Sequence, residues 1–246
     1  MTDAPLRPRV VLLDIEGTTT PIAFVHQRLF PYARRQLQPY LTEHAGDAVV
    51  IDATNRLRGE RAADRDTTGV PPWSDASPAS TRASVIAYAH WLMDLDRKSP
   101  GLKQLQGAIW DAGYSAGVLH GELFDDVPRA FARWQRAGVV IAIYSSGSEL
   151  AQRRLFGSTA AGDLTGAIRA FFDTAVGPKT SAASYREIAR RLQVASSDIL
   201  FVSDITRELA AARDAGCDVR LCLRPGNAPQ PGAGSFETVD TLDRVP

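Results

Sequence analysis

The sequence predicts an α/β fold, a doubly wound parallel sheet interrupted by a helical insertion, and three observations predict it. Short β-branched apolar runs recur along the chain, segments with helical spacing separate the later ones, and the alternation fails between about Pro21 and Gly121. Strands that alternate with helices favour a Rossmann-like parallel sheet with helices on both faces. The first run, Val10–Asp14, is apolar until its last residue, as a strand covered on both sides should be. It ends in Asp14, with Glu16 two residues on, and then Gly17-Thr-Thr-Thr20. Acid at the end of a buried strand is costly unless it meets a metal, a donor or water. The carboxyl ends of such strands are also where open α/β sheets bind ligands.

Residues 21–120 read as helices over Phe24–Leu41, Val49–Gly59, Thr81–Asp96 and Gly101–Ala112. Between them Arg65–Ser80 is polar and Pro-rich and is expected to be a loop. Further strands are expected at Val139–Tyr144, Phe172–Val176, Ile199–Val202 and Val219–Leu223. Helices fill the gaps: Val127–Ala137 places Val127, Phe131 and Trp134 on one side, Ser181–Leu192 does so with Tyr185, Ile188 and Leu192, and Arg207–Ala215 is alanine-rich. Gly138 and Gly216 fall where helix C-caps belong, just before strands. The expected organisation is therefore a discontinuous core, residues 1–20 and 121–246, with residues 21–120 inserted after the first strand. The stretch from Arg224 to Gly234 is expected to be a loop, and no internal repeat is present.

Composition narrows the function. The chain has 246 residues, 44% hydrophobic and 23% charged, with 28 basic and 28 acidic side chains. A zero net charge without basic runs argues against nucleic acid or an anionic membrane as partner, so any anion must be gripped locally. Two cysteines, Cys217 and Cys222, are too few for a disulfide framework and fit a reducing cytoplasm. No apolar stretch approaches membrane-spanning length, and a cytoplasmic protein is expected. Four scattered histidines, His26, His44, His90 and His120, make no zinc pattern.

The chemistry resides in four strand ends. The first carries Asp14 and Glu16; the second, Ile141 to Ser148, ends in Ser145, Ser146 and glycine, which can donate to a phosphate. Near the third, Gly177-Pro-Lys179 puts a lysine in a tight turn, and the fourth places Asp204 at its end with Glu208 one helical turn on. Each has a bland alternative: the serines as helix caps, Lys179 as a solvated turn lysine, Asp204 as a cap. Their order, each at its own strand end, favours phosphate chemistry. Magnesium takes one or two carboxylates with phosphate and water, and Asp14 and Asp204, with a backbone carbonyl near Glu16, suit it. A carboxylate approaching a phosphate dianion meets repulsion on the order of 4 kcal/mol per close charge pair. A divalent cation and the Lys179 ammonium would offset that.

At these residues the chain resembles the haloacid dehalogenase-like phosphatase superfamily, whose motifs occur in this order. It is more closely similar to the acireductone-forming enolase-phosphatase family of methionine salvage. The resemblance runs through Asp14 to His26, Leu29 to Ala33, Ile143 to Ser148, Gln152 to Gly157, Phe172 to Thr174, Gly177 to Lys179, Ser184-Tyr185, Ser203 to Glu208 and Arg224 to Asn227. The superfamily usually has Asp-x-Asp in its first motif; this chain has Glu16, as that family does. The resemblance implies a monomer that takes 2,3-diketo-5-methylthiopentyl-1-phosphate through an enol phosphate to 1,2-dihydroxy-3-keto-5-methylthiopentene and inorganic phosphate. It implies one magnesium held by Asp14, the Glu16 position and Asp204, with Ser145, Ser146 and Lys179 on the substrate. Asp14 is expected as nucleophile and Glu16 as proton shuttle; Glu208 is expected to orient Lys179 or a water on the ion. The insertion is expected to act as a helical cap that reads the methylthio end. Another small-molecule phosphatase of the superfamily, a phosphomutase and an inactive phosphate- or metal-sensing protein are the alternatives. Glu16 argues against the first two, and the presence of Asp14, Lys179 and Asp204 together against the third.

Overall fold

The computed structural model describes residues 8–64 and 69–246. It divides into two compact units: the described residues through Val25 joined with Leu119–Pro246, and His26–Val118.

The first unit is a six-stranded, all-parallel sheet. Its strands are β1 Val10–Leu13, β2 Val140–Tyr144, β3 Ile168–Phe172, β4 Ile199–Ser203, β5 Asp218–Cys222 and β6 Thr238–Val239, in the order β3-β2-β1-β4-β5-β6. Chain order reverses at β1, which pairs with β2 on one side and β4 on the other. That reversal opens a crevice beyond the carboxyl ends of β1 and β4. Leu13 lies level with Ile143 and Val202, so Asp14, Ser145 and Asp204 follow at nearly one height. Val10 to Leu13 are wholly buried, and Val10, Leu12, Tyr144, Phe201, Tyr185, Ile188 and Leu209 share one core cluster. Burying each large apolar side chain of this kind contributes roughly 1.5–3 kcal/mol.

In chain order the helices are α1 Ile22–Phe24, α2 Phe30–Glu43, α3 Ala48–Ala63, α4 Pro78–Asp94, α5 Pro100–Ser115, α6 Asp126–Arg136, α7 Glu149–Gly157, α8 Ala182–Leu192 and α9 Thr206–Asp214. After α6, Gly138 takes a φ of 71° and its N–H donates to the Gln135 carbonyl, while Val139 N donates to Trp134 O. Those two bonds end the helix and aim the chain into β2.

The helical unit has its own core. Ala33, Leu37 and Leu41 of α2, Val50, Ala53 and Leu57 of α3, Val85, Tyr88 and Leu92 of α4 and Leu102, Leu105 and Ile109 of α5 form one cluster, each set at helical spacing. Gly101 lets α5 approach α3, because a Cβ there would lie 2.7 Å from Leu57 Cγ. Ser77 caps α4 in a reciprocal pair with Ser80, and Ser99 caps α5 by accepting from Leu102 N.

Three expectations need correction. The segment Phe24–Leu41 is not one helix: Val25–Leu29 is a π-helical turn between α1 and α2. Pro31 at the start of α2 has no N–H for the preceding turn, and the widened turn accommodates it. The third strand is Ile168–Phe172, not Phe172–Val176. Asp173 accepts from Ala175 N and curls Thr174–Val176 into a 3-10 turn, while Arg169, exposed within an edge strand, disguises the true one. Ser77 and Pro78 start a helix inside the segment expected to be loop; Arg65 to Thr68 of that segment lie outside the described residues.

Candidate active site

The loop after β1 coils about one carbonyl. Thr18, Thr19 and Thr20 all donate their N–H to Ile15 O, Gly17 N donates to Thr20 O, and Thr19 Oγ1 donates to Asp14 O. Gly17 is required at the turn. Its φ is +67°, and a Cβ would sit 2.8 Å from Asp204 Cγ and 2.9 Å from Asn227 Oδ1. The coil leaves Asp14 buried, with Oδ1 accepting from Ile15 N at 2.7 Å.

Lys179 reaches Asp14 from the turn after β3. Its Nζ lies 2.6 Å from Asp14 Oδ1 and 2.6 Å from Glu208 Oε2. Three hydroxyls hold that turn by successive carbonyls: Tyr144 Oη donates to Gly177 O, Ser184 Oγ to Pro178 O and Tyr185 Oη to Lys179 O. Gly177 is needed here too, for a Cβ would collide with Ser184 Oγ. Lys179 is only 9% exposed, so it is not a solvated turn lysine. Burial pulls its pKa down, but the Asp14 and Glu208 carboxylates outweigh that and hold it above the ordinary lysine value.

Ser203, at the end of β4, is wholly buried between two acids. Its Oγ lies 2.9 Å from Asp14 Oδ2 and 3.1 Å from Glu208 Oε2. Its single proton can go to only one of them at a time; Glu208 Oε2 also has Lys179, and Ser203 Oγ itself accepts from Ile205 N at 3.2 Å. Burial, followed by the charge of Asp14, raises the Glu208 pKa, while Lys179 and the Ser203 hydroxyl pull it back down. Asp204 follows on the same strand end; burial and then Asp14 push its carboxyl up to about 7. It does not cap α9, whose N-cap, Ile205, has no side-chain bond.

The second strand end behaves differently. Ser145 is buried, its N–H donating to Phe172 O, and its Oγ accepts from Gly147 N. Ser146 is exposed at the turn, and the cap of α7 is Ser148, not either of them. Gln152 Nε2 donates to both Gly147 O and Phe172 O, which fixes the turn from behind. Sequence reasoning assigned no role to Ser203 or Gln152; the only signal for either was its place inside a resembling segment.

The donor set suits a small hard cation. Asp14 and Asp204 converge at the end of the β1–β4 pair, Glu16 adds to the negative field on Asp204, and Lys179 supplies one positive charge. Among the described residues no three carboxylate, histidine or cysteine side chains cluster as metal ligands. An ion here would therefore take two carboxylates and complete its shell with main-chain carbonyl, water and phosphate oxygens, which is how magnesium is usually held. The side of Gly17 that lacks a Cβ is bordered by the Asp204 carboxylate and by a buried amide oxygen of Asn227 that has no partner among the described residues, and both are hard oxygen acceptors that suit such an ion.

A parallel sheet with carboxylates at its reversal point and a lysine braced against them defines a class. The model for haloacid dehalogenase-like hydrolases matches residues 8–216, and the chain belongs to that family. Within it, the chain is 46% identical to Enolase-phosphatase E1 of Synechococcus elongatus over 98% of this chain and 99% of that protein. It is 44% identical to a probable bifunctional methylthioribulose-1-phosphate dehydratase/enolase-phosphatase E1 of Populus trichocarpa, covering 97% of this chain and 47% of that protein. Among solved structures, the UTR4 protein of Saccharomyces cerevisiae superposes with a TM-score of 0.77 at 31% identity, covering 97% of this chain and all of that one.

Proposed function

We infer that the protein is an enolase-phosphatase, a phosphoric monoester hydrolase that converts 2,3-diketo-5-methylthiopentyl-1-phosphate through its enol phosphate to 1,2-dihydroxy-3-keto-5-methylthiopentene and phosphate. The observation that carries this is the convergence of Asp14, Lys179 and Asp204 at the sheet reversal, with glutamate rather than aspartate at position 16. The full-length similarity to Enolase-phosphatase E1 proteins supports this choice of substrate. Magnesium, when bound by Asp14, Asp204 and the Glu16 carbonyl, supplies charge that lets a carboxylate approach a phosphate dianion. Asp14 is the nucleophile, and Lys179 stabilises charge that spreads onto the phosphoryl oxygens. Ser145 and Ser146 hold the substrate, and Glu16 moves protons in enolisation and at the leaving oxygen. The helical unit serves as the cap that reads the methylthio end, and the protein acts as a cytoplasmic monomer. No helix among the described residues is long and apolar enough to cross a membrane.

The direct test presents the diketo-phosphate to purified protein with and without magnesium, following enol absorbance and free phosphate together. Magnesium-dependent growth of both supports this function. Phosphate release only from other esters would leave a phosphatase with a different substrate.

Two further outcomes follow from the same groups. Glu16→Gln should slow solvent deuterium uptake at C1 of the substrate; unchanged uptake would place the enolisation base elsewhere. Asp204, ordinarily near 3.8, is held up to about 7, so in the metal-free protein it stays protonated below neutrality. Its raised value makes the metal-free fold lose stability as pH climbs from about 4 towards 7, after which the loss is complete. Magnesium must displace that proton, so calorimetry in buffers of different ionisation enthalpy should find proton release on binding at pH 6 that fades by pH 8.5. Release independent of pH would remove Asp204 as a ligand.

A further inference from the structure

The coil after β1 is held from outside by one short segment, Arg224 to Asn227, that no proposed chemical step uses. Arg224 is buried, and its Nε donates to Thr18 O at 3.1 Å. Its Nη1 donates to Asp240 O and its Nη2 to Asp126 Oδ2 at 2.8 Å, and the guanidinium lies over the Phe124 ring. Asp126 is itself buried. Burial acts to raise its pKa, but Arg224 and the donors Leu242 N and Thr241 Oγ1 hold it below the ordinary carboxylate range. Asn227 Nδ2 donates to Gly17 O at 2.9 Å and to Cys222 O at 3.2 Å.

Each of these bonds fixes a peptide plane, since the six atoms of a peptide unit turn together. Gly17 N to Thr20 O orients the Glu16–Gly17 peptide, which carries the Glu16 carbonyl. Asn227 orients the next peptide and Arg224 the one after. With both Nδ2 bonds made to carbonyls, the Asn227 amide has one possible orientation, and its Oδ1 is then buried with no donor among the described residues. That oxygen lies 2.9 Å, and Asp204 Oδ2 2.5 Å, from the same point, the position a Gly17 Cβ would take. Both oxygens therefore border the open side of Gly17, where a hydrated cation would supply the donor that Asn227 Oδ1 lacks.

We propose that Asn227 and Arg224 are positioning residues of the magnesium cradle, Asn227 fixing Gly17 and leaving its Oδ1 to accept from a water of the ion's hydration shell beside Asp204. This rests on the metal reading given above. A loop staple would make the same two carbonyl bonds but would leave ion affinity alone. Partners standing behind metal ligands typically carry ten- to a hundred-fold in affinity.

The test is magnesium titration of the whole protein by calorimetry, with melting followed in parallel in chelator. Asn227→Ala should melt within a few degrees of the parent in chelator yet bind magnesium at least about ten-fold more weakly. At saturating magnesium the KM for substrate should be near that of the parent. Arg224→Lys keeps the charge beside Asp126 but cannot reach three acceptors, and it should weaken magnesium in the same direction. If the alanine variant does not fold, Asn227→Ser is titrated in its place. A folded Asn227 variant with unchanged magnesium affinity overturns the proposal, whether or not its melting temperature falls. A parent protein that binds no magnesium overturns the metal reading as well, so the two failures are distinguishable.

Discussion

Asp14→Asn is expected to fold and to release phosphate at least about 10³-fold more slowly, the scale on which removal of a nucleophile acts. The change is nearly isosteric, and the site can absorb it. The amide oxygen can face Lys179 Nζ where Asp14 Oδ1 now stands, while the amide nitrogen faces Ser203 Oγ, which then donates to Glu208. What cannot be replaced is a carboxylate able to form an acyl phosphate. Because Asp14 is also assigned to the ion, the assay is run across a wide magnesium range. Recovery at high magnesium would reduce Asp14 to a ligand, whereas a deficit that persists at saturation keeps it as nucleophile. Near-parental turnover throughout would remove both roles.

Lys179→Met should cost both stability and activity, for separable reasons. Lys179 is the cation between Asp14 and Glu208, each 2.6 Å away; Lys179 and Asp14 are buried and Glu208 is half-buried. Removing one partner of such a set leaves charge without compensation, and losses of about 3–5 kcal/mol are typical. The raised Glu208 pKa limits the damage, because that acid can take up a proton. Combining Lys179→Met with Glu208→Gln should therefore recover much of the melting temperature while phosphate release stays abolished. A single variant as stable as the parent would mean that the buried ion pair contributes nothing. A double variant that regains activity would remove Lys179 from phosphate chemistry.

The sequence made the sheet legible wherever burial was two-sided. Val10–Leu13, Val140–Tyr144 and Ile199–Ser203 are apolar runs because both faces are covered, and their ends announce Asp14, Ser145 and Asp204. Edge strands do not obey that rule: β3 carries exposed Arg169, and β6 has only two residues. Lys179 is legible from its Gly-Pro turn, although its burial is not, since it depends on partners remote in sequence: Tyr144 of β2 on the turn and Asp14 on the ammonium. The same holds for Arg224 and Asp126, whose bond spans most of the sheet unit, and for Asn227 against Gly17. A lone arginine in a Pro-Gly stretch reads as solvated surface until the fold brings a carboxylate to it.

The separate core of the helical unit has a consequence for chain entropy. The chain leaves the sheet unit after Val25 and re-enters it at Leu119. For the sheet, everything between is one closed loop, and closing a loop becomes harder only as the logarithm of its length, about 0.6 kcal/mol per doubling. Because α2 to α5 bury their own stripes of leucine and alanine, the excursion offsets its own ordering entropy. Insertions and deletions there are thus nearly neutral for the folding of the strands that carry Asp14, Lys179 and Asp204. Length and sequence in the excursion can drift widely while the sheet ends stay in register.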